Sequence, residues 1–167
     1  MQRTVFDLNS NSKRKVLIIG ESYMNLEMET DNRLKNGNVT HGDKYGFHPF
    51  GMTAAAAVTV GKMGGKCVFC SKLAKDSNGK RLKDYYENNG LNTDMITFPE
   101  DTQTGFAITL YGENSETEHY ISKGANRFFS KSGEFPFYPE IRRKKPVIKL
   151  FHPKSLPRRA FRPPRRT

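Results

Sequence analysis

Cys67 and Cys70 form a C-x-x-C pair, a spacing used for dithiol redox chemistry or for half of a zinc site. The run Lys66-Cys67-Val68-Phe69-Cys70 reads as a strand, where side chains three apart point to opposite faces. No second cysteine pair exists to complete a tetrahedral zinc site. Two buried free thiols are therefore expected. The four histidines, His41, His48, His119 and His152, are scattered and show no metal-ligand spacing. Lys80–Asp84 and Lys83–Glu87 are i,i+4 pairs in the weaker orientation and read as a solvated helix face.

The remaining chemical signal is charge. Residues 1–126 carry fifteen Lys/Arg and fifteen Asp/Glu, whereas the last 41 carry thirteen and two, so the net +11 sits after Asn126. Seven of the nine prolines lie there as well. Arg142-Arg143-Lys144-Lys145, Arg158-Arg159 and Arg165-Arg166 stand among prolines that continue neither a helix nor a central strand. Clustered cations of this kind neutralise phosphates, which makes nucleic acid or another polyanion a candidate, non-specific partner. Against a dedicated nucleic-acid arm, Phe128, Phe129, Phe135, Phe137 and Tyr138 precede the densest arginine runs instead of interleaving with them. A solvated tail without a partner explains the composition equally well.

Behind these residues stands an α/β pattern. Val16-Leu17-Ile18-Ile19 followed by Gly20 reads as a strand buried on both faces, the kind found in parallel sheets. Leu26 to Thr30 and Lys44 to Phe47 suggest short strands. Thr53 is the expected N-cap of a helix through Ala54-Ala55-Ala56-Ala57 to Met63, ended by Gly64-Gly65. A strand Cys67 to Leu73 completes a crossover unit. Asp76 or Ser77 caps a helix about Lys80 to Asn88, with Leu82, Tyr85 and Tyr86 on one side and Gly90 past its end. A short strand is expected at Met95 to Phe98, then a hairpin of Phe106 to Tyr111 and Glu118 to Ser122 around Gly112 to Ser115. No apolar stretch approaches the roughly 20 residues needed to cross a bilayer. Residues 1–15 are polar and Val16 to Ile19 is too short for a signal-peptide core, so a cytoplasmic location is expected with no membrane partner.

An ordered series of short motifs resembles the N-terminal portion of ribokinase/PfkB-type carbohydrate kinases. Gly20-Glu21-Ser22-Tyr23-Met24-Asn25 matches the family's strand-ending Gly and the Asp five residues later. Phe50-Gly51-Met52-Thr53-Ala54-Ala55 and Met63-Gly64 match its Gly-Gly, its Asn four residues after the second Gly, and the Leu-Gly that ends the helix. Asp76-Ser77-Asn78-Gly79, Gly90-Leu91-Asn92-Thr93, Thr104-Gly105 and Gly124-Ala125-Asn126 follow in order. The resemblance implies an α/β, ribokinase-like fold: an incomplete parallel sheet with helices plus a small β lid, and then an irregular or disordered basic tail. It divides the chain into a polar extension (1–15), the kinase-like part (16–126) and the tail (127–167).

The activity so implied is transfer of the ATP γ-phosphate to a sugar hydroxyl, with ATP and Mg as cofactors of a complete family member. The family's second signature, Asp-Thr-x-Gly-Ala-Gly-Asp, brings the catalytic Asp and a backbone anion hole. Residues 127–167 hold one glycine, Gly133, and no aspartate. Loss of the base and of the oxyanion donors removes phosphoryl transfer rather than slowing it. No catalytic residue and no cofactor site is therefore expected in the chain as it stands. Asn25 and Gly51 are the substrate-binding candidates, with sugar binding weakened or lost. Asn25 replaces the family's Asp, and Ala55 replaces its Asn. Each change costs about 1–3 kcal/mol, together roughly 30-fold to several thousand-fold in affinity. Translation out of frame after Asn126 would explain both where the resemblance stops and why Pro and Arg then rise. Half a parallel sheet would also leave an open edge, favouring self-association.

Overall fold

The computed structural model describes residues 16–30, 41–42, 44–112, 117–131 and 149–150. The polar extension, residues 113–115 of the hairpin turn and the basic runs at 142–145, 158–159 and 165–166 lie outside the described residues.

Val16–Ile19 (β1) contains no polar side chain, and its residues bury in alternate directions. Ile18 enters one core, while Leu17 and Ile19 enter another on the opposite face. This two-sided burial is why the strand reads as a continuous apolar run. The chain then passes through Tyr23–Glu29 (β2), Lys44–Phe50 (β3) and the helix Met52–Lys62 (α1) before returning as Cys67–Cys70 (β4). β4 lies parallel to β1, with Val16 opposite Cys67 and Ile19 opposite Cys70. Cys67 and Phe69 join the Ile18 core, and Cys70 joins Leu17 and Ile19. The two cysteines are thus buried free thiols on opposite faces, and burial pushes both up to about 11.

The helix Ser77–Asn88 (α2) follows, then Leu91–Asn92 (β5) beside β4. Both helices cover the Ile18 face, α1 through Ala54, Ala57 and Val58, α2 through Leu82 and Tyr86. Full burial of a side chain such as Leu82 stabilises by about 1.5–3 kcal/mol. Phe106–Tyr111 (β6) and Thr117–Ser122 (β7) form the expected hairpin. Gly124–Arg127 then makes a 3-10 turn into the short helix Phe128–Lys131 (α3), and Lys149–Leu150 (β8) pairs with Leu17 and Ile18. The parallel sheet has the order β5-β4-β1-β8, so the β1 edge is met by two residues of β8 instead of standing bare. Phe129 packs against Leu17, Ile19 and Cys70.

A second sheet, β3-β2-β6-β7, stands apart from the first as the lid. β2 and β6 are parallel, and each carries an antiparallel outer strand.

Several boundaries differ from the sequence reading. α1 starts at Met52 with Gly51 as N-cap, because the Thr53 hydroxyl, expected to cap the helix, is spent on the Glu21 carbonyl. α2 starts at Ser77, three residues early, since the Asp76 carboxylate caps it through the Gly79 N–H. β4 stops at Cys70, and the strand expected at Met95 to Phe98 is reduced to one bridge between Lys72 and Thr97. Among the described residues no helix is long and apolar enough to cross a membrane.

Candidate functional site

The end of β1, the lid and the start of α1 meet around a cleft of about 460 Å³. Pro49, Phe50, Met52, Ala55 and Ile121 give it an apolar wall. Its polar wall is Glu21, Tyr23 and Thr53, with the backbone of Gly51 between them. Gly51 has φ 122, a backbone conformation that L side chains rarely adopt, and a Cβ there would sit 2.9 Å from the Glu21 carbonyl oxygen. Only glycine lets the chain turn from β3 into α1 this close to β2's approach.

Hydrogen bonds fix the crossing from β1 into the lid. The Thr53 hydroxyl donates to the Glu21 carbonyl at 2.8 Å, and the Ser71 hydroxyl donates to the Gly20 carbonyl at 2.9 Å. Ser22, fully buried, shares a hydrogen bond with the Tyr86 hydroxyl at 2.5 Å. Asn126 clasps the Ser22 backbone: its Nδ2 donates to the carbonyl at 2.7 Å, and its Oδ1 accepts from the N–H at 3.3 Å. The closing Gly-Ala-Asn motif is therefore a clamp on the residue between Glu21 and Tyr23.

The Asp76 and Thr104 motifs meet in the same way. Asp76 accepts from the Gly79 N–H at 2.7 Å, the Thr104 N–H at 2.8 Å and the Thr104 hydroxyl at 2.7 Å. The Thr104 oxygen in turn accepts from the Ala74 N–H at 3.0 Å. Burial works to raise the Asp76 carboxyl, but the bonds from Thr104 and Gly79 outweigh it and hold the group below its usual range. Gly79 is required because a Cβ would fall 2.1 Å from the Ala74 carbonyl oxygen. α2 and the start of β6 are thus tied to one carboxylate.

Of the residues singled out from sequence, Gly51 and Ala55 line the cleft. Asn25 does not line it: its side chain is 0% exposed and committed at both ends. Its Nδ2 donates to Glu27 Oε1 at 3.0 Å, and its Oδ1 accepts from the Thr109 hydroxyl at 3.1 Å. The carboxylate of Glu27 fixes which way the Asn25 amide points. With the Thr109 proton given to Asn25, His119 Nδ1, 3.0 Å from the same hydroxyl oxygen, is the donor to it. The His119 ring in turn lies 5.7 Å from that of Phe50 on the cleft wall. An aspartate at position 25 would lose the donor and face Glu27 with a second charge, which is why asparagine suits this chain.

Glu21 and Tyr23 were not singled out from sequence. The Tyr23 hydroxyl donates to Glu21 Oε2 at 2.6 Å. Burial, then this bond and the neighbouring charge, push the Tyr23 phenol well above its usual range, so it stays protonated and donating. The signal available was their i,i+2 spacing at a strand start, which places both side chains on one face. Among the described residues no group of three or more His, Cys, Asp or Glu is placed to hold a metal.

Residues 13–140 match the pfkB family of carbohydrate kinases, past Asn126 and across three quarters of the chain. The chain belongs to that family. A ribokinase of Haemophilus influenzae is 30% identical over 97 residues, 58% of this chain and 32% of that protein. An aminoimidazole riboside kinase of Salmonella typhimurium is 28% identical over 126 residues, 74% of this chain and 36% of that protein. Among solved structures, ribokinase from Giardia lamblia superposes with a TM-score of 0.72 at 22% identity, covering 83% of this chain and 44% of the other. Arabidopsis thaliana ribokinase complexed with ribose and ATP gives 0.62 at 19% identity, covering 68% and 37%. The ribokinase-like fold is thus established, and the chain spans about a third of the length of the curated relatives it matches.

Proposed function

We propose that this chain supplies the sugar-facing half of a pfkB-type kinase and that its 167 residues do not by themselves transfer phosphate from ATP. One observation carries the reading: residues of the first two motifs, Glu21, Tyr23, Gly51, Thr53 and Ala55, line a single cleft between the lid and the start of α1. Gly51 meets the sugar through its backbone, while Asn25, buried and outside the cleft, braces the lid through Glu27 and Thr109. Ala55 presents a methyl group where the family motif has an amide, so sugar binding is weak.

Phosphoryl transfer needs a positioned base, an anion hole and neutralised phosphate charge. The Gly-Ala-Gly-Asp segment that would supply the first two is absent from the sequence. Among the described residues no group of three or more His, Cys, Asp or Glu is placed to hold a metal, and no step is derived through MgATP. The test is an amide NMR titration of the purified chain with ribose. Shifts at Glu21, Gly51 and Ala55 are expected, and their absence at saturating sugar would refute the reading.

A further inference from the structure

We infer that Glu21, braced by Tyr23, is the specificity-determining group of the cleft and selects neutral or amino-bearing sugars over sugars carrying a carboxylate or phosphate. The inference rests on the sugar-cleft reading above and adds the class of sugar.

The hydrogen-bond inventory of the cleft leads to it. Two side-chain hydroxyls line the cleft, and both are already spent as donors: Tyr23 on the Glu21 carboxylate, Thr53 on the Glu21 carbonyl. The other side chains on the wall, Pro49, Phe50, Met52, Ala55 and Ile121, offer no donor or acceptor beyond the weak thioether of Met52. What remains is one carboxylate with unused lone pairs, since an ionised carboxylate has about four acceptor sites. A ligand must therefore bring donors.

The complementary groups are backbone. α1 has no side-chain cap, and the first-turn N–H groups of a helix lack intrahelical partners. A sugar hydroxyl can donate to Glu21 and accept from that turn at once. An ammonium satisfies Glu21 with full charge. A ligand carboxylate or phosphate can use the helix start but meets the Glu21 charge, with no cation among the described residues lining the cleft to offset it.

The test is an amide NMR titration of the 167-residue chain with glucosamine, glucose and glucuronate, which share a ring and differ in charge. Glucosamine is expected to bind tightest and glucuronate weakest, with roughly tenfold or more between them. Glu21→Gln should collapse the series to within about twofold, because an amide donates as well as accepts. Glu21→Asp, which keeps the charge, should preserve the order. An order that survives in Glu21→Gln or vanishes in Glu21→Asp overturns the inference, as does glucuronate binding as tightly as glucose; in each of these cases the sugar-cleft reading stands. Binding of none of the three sugars, nor of ribose, overturns both.

Discussion

Replacing Asp76 with alanine should cost about 2–5 kcal/mol of folding stability. The carboxylate accepts three hydrogen bonds that tie the start of α2 to the start of β6. Losing the cap on the Gly79 N–H is worth about 1 kcal/mol. The Thr104 N–H, on a residue only 3% exposed, then has no acceptor, which costs a further 1–3 kcal/mol or about that. The Thr104 hydroxyl loses its acceptor too, although its oxygen still receives the Ala74 N–H. Against a typical total of about 5–15 kcal/mol, this is a large fraction.

The pH dependence has a definite sign. The folded carboxyl is held below its ordinary value, so its stabilisation is complete well above the unfolded value of about 3.9 and is lost as pH falls towards the folded one. Urea unfolding followed by far-ultraviolet circular dichroism, at neutral pH and again near pH 3, reads both effects. Asp76→Asn should lie between native and Asp76→Ala at neutral pH and lose the acid-side slope that Asp76 contributes. A change within about 0.5 kcal/mol for Asp76→Ala, the range of an ordinary surface substitution, would refute the reasoning.

Four further outcomes are expected. Asn126→Ala should destabilise by about 2–5 kcal/mol, because it leaves the N–H and carbonyl of buried Ser22 unpaired, and the same unfolding assay checks it. Ala55→Asn should restore a hydroxyl partner on the cleft wall and tighten sugar binding about 5- to 150-fold, read by calorimetry or NMR titration. Cys67 and Cys70, with thiols raised to about 11 by burial, should resist alkylation at pH 8 in the folded chain and react fully in urea. Sedimentation should show association, since among the described residues β8 meets the β1 edge at Leu17 and Ile18 alone and the lid exposes Tyr45, Phe47 and Tyr120; a monodisperse monomer would contradict it.

The elements that sequence made legible are those whose pattern follows burial. β1 is apolar on both faces and so was readable, whereas the hairpin was readable from the alternating residue types of β6 and the turn after it, although β7 is almost wholly exposed. The first lid strand was placed late, at Leu26, because Asn25, Glu27 and Glu29 put polar groups on one face of it, where core periodicity gives no signal. β3 runs on to Phe50 through Pro49, which an edge strand tolerates and a central one would not. Gly51 was legible through its motif, since a backbone requirement leaves a glycine in the sequence. The partners of the other motifs were not: Asp76 finds Thr104 and Asn126 finds Ser22 only through tertiary contact across 28 and 104 positions. Glu21 and Tyr23 fall inside the first motif at positions it does not specify, and their role emerges only from the bond between them and their place on the cleft wall.

The central claim is that these 167 residues carry a sugar cleft without the chemistry of phosphate transfer. Phosphorus NMR of the purified chain with MgATP and ribose tests it directly. Unchanged ATP and no sugar phosphate are the expected result. A ribose-dependent sugar-phosphate signal that disappears in Gly51→Val would contradict the account.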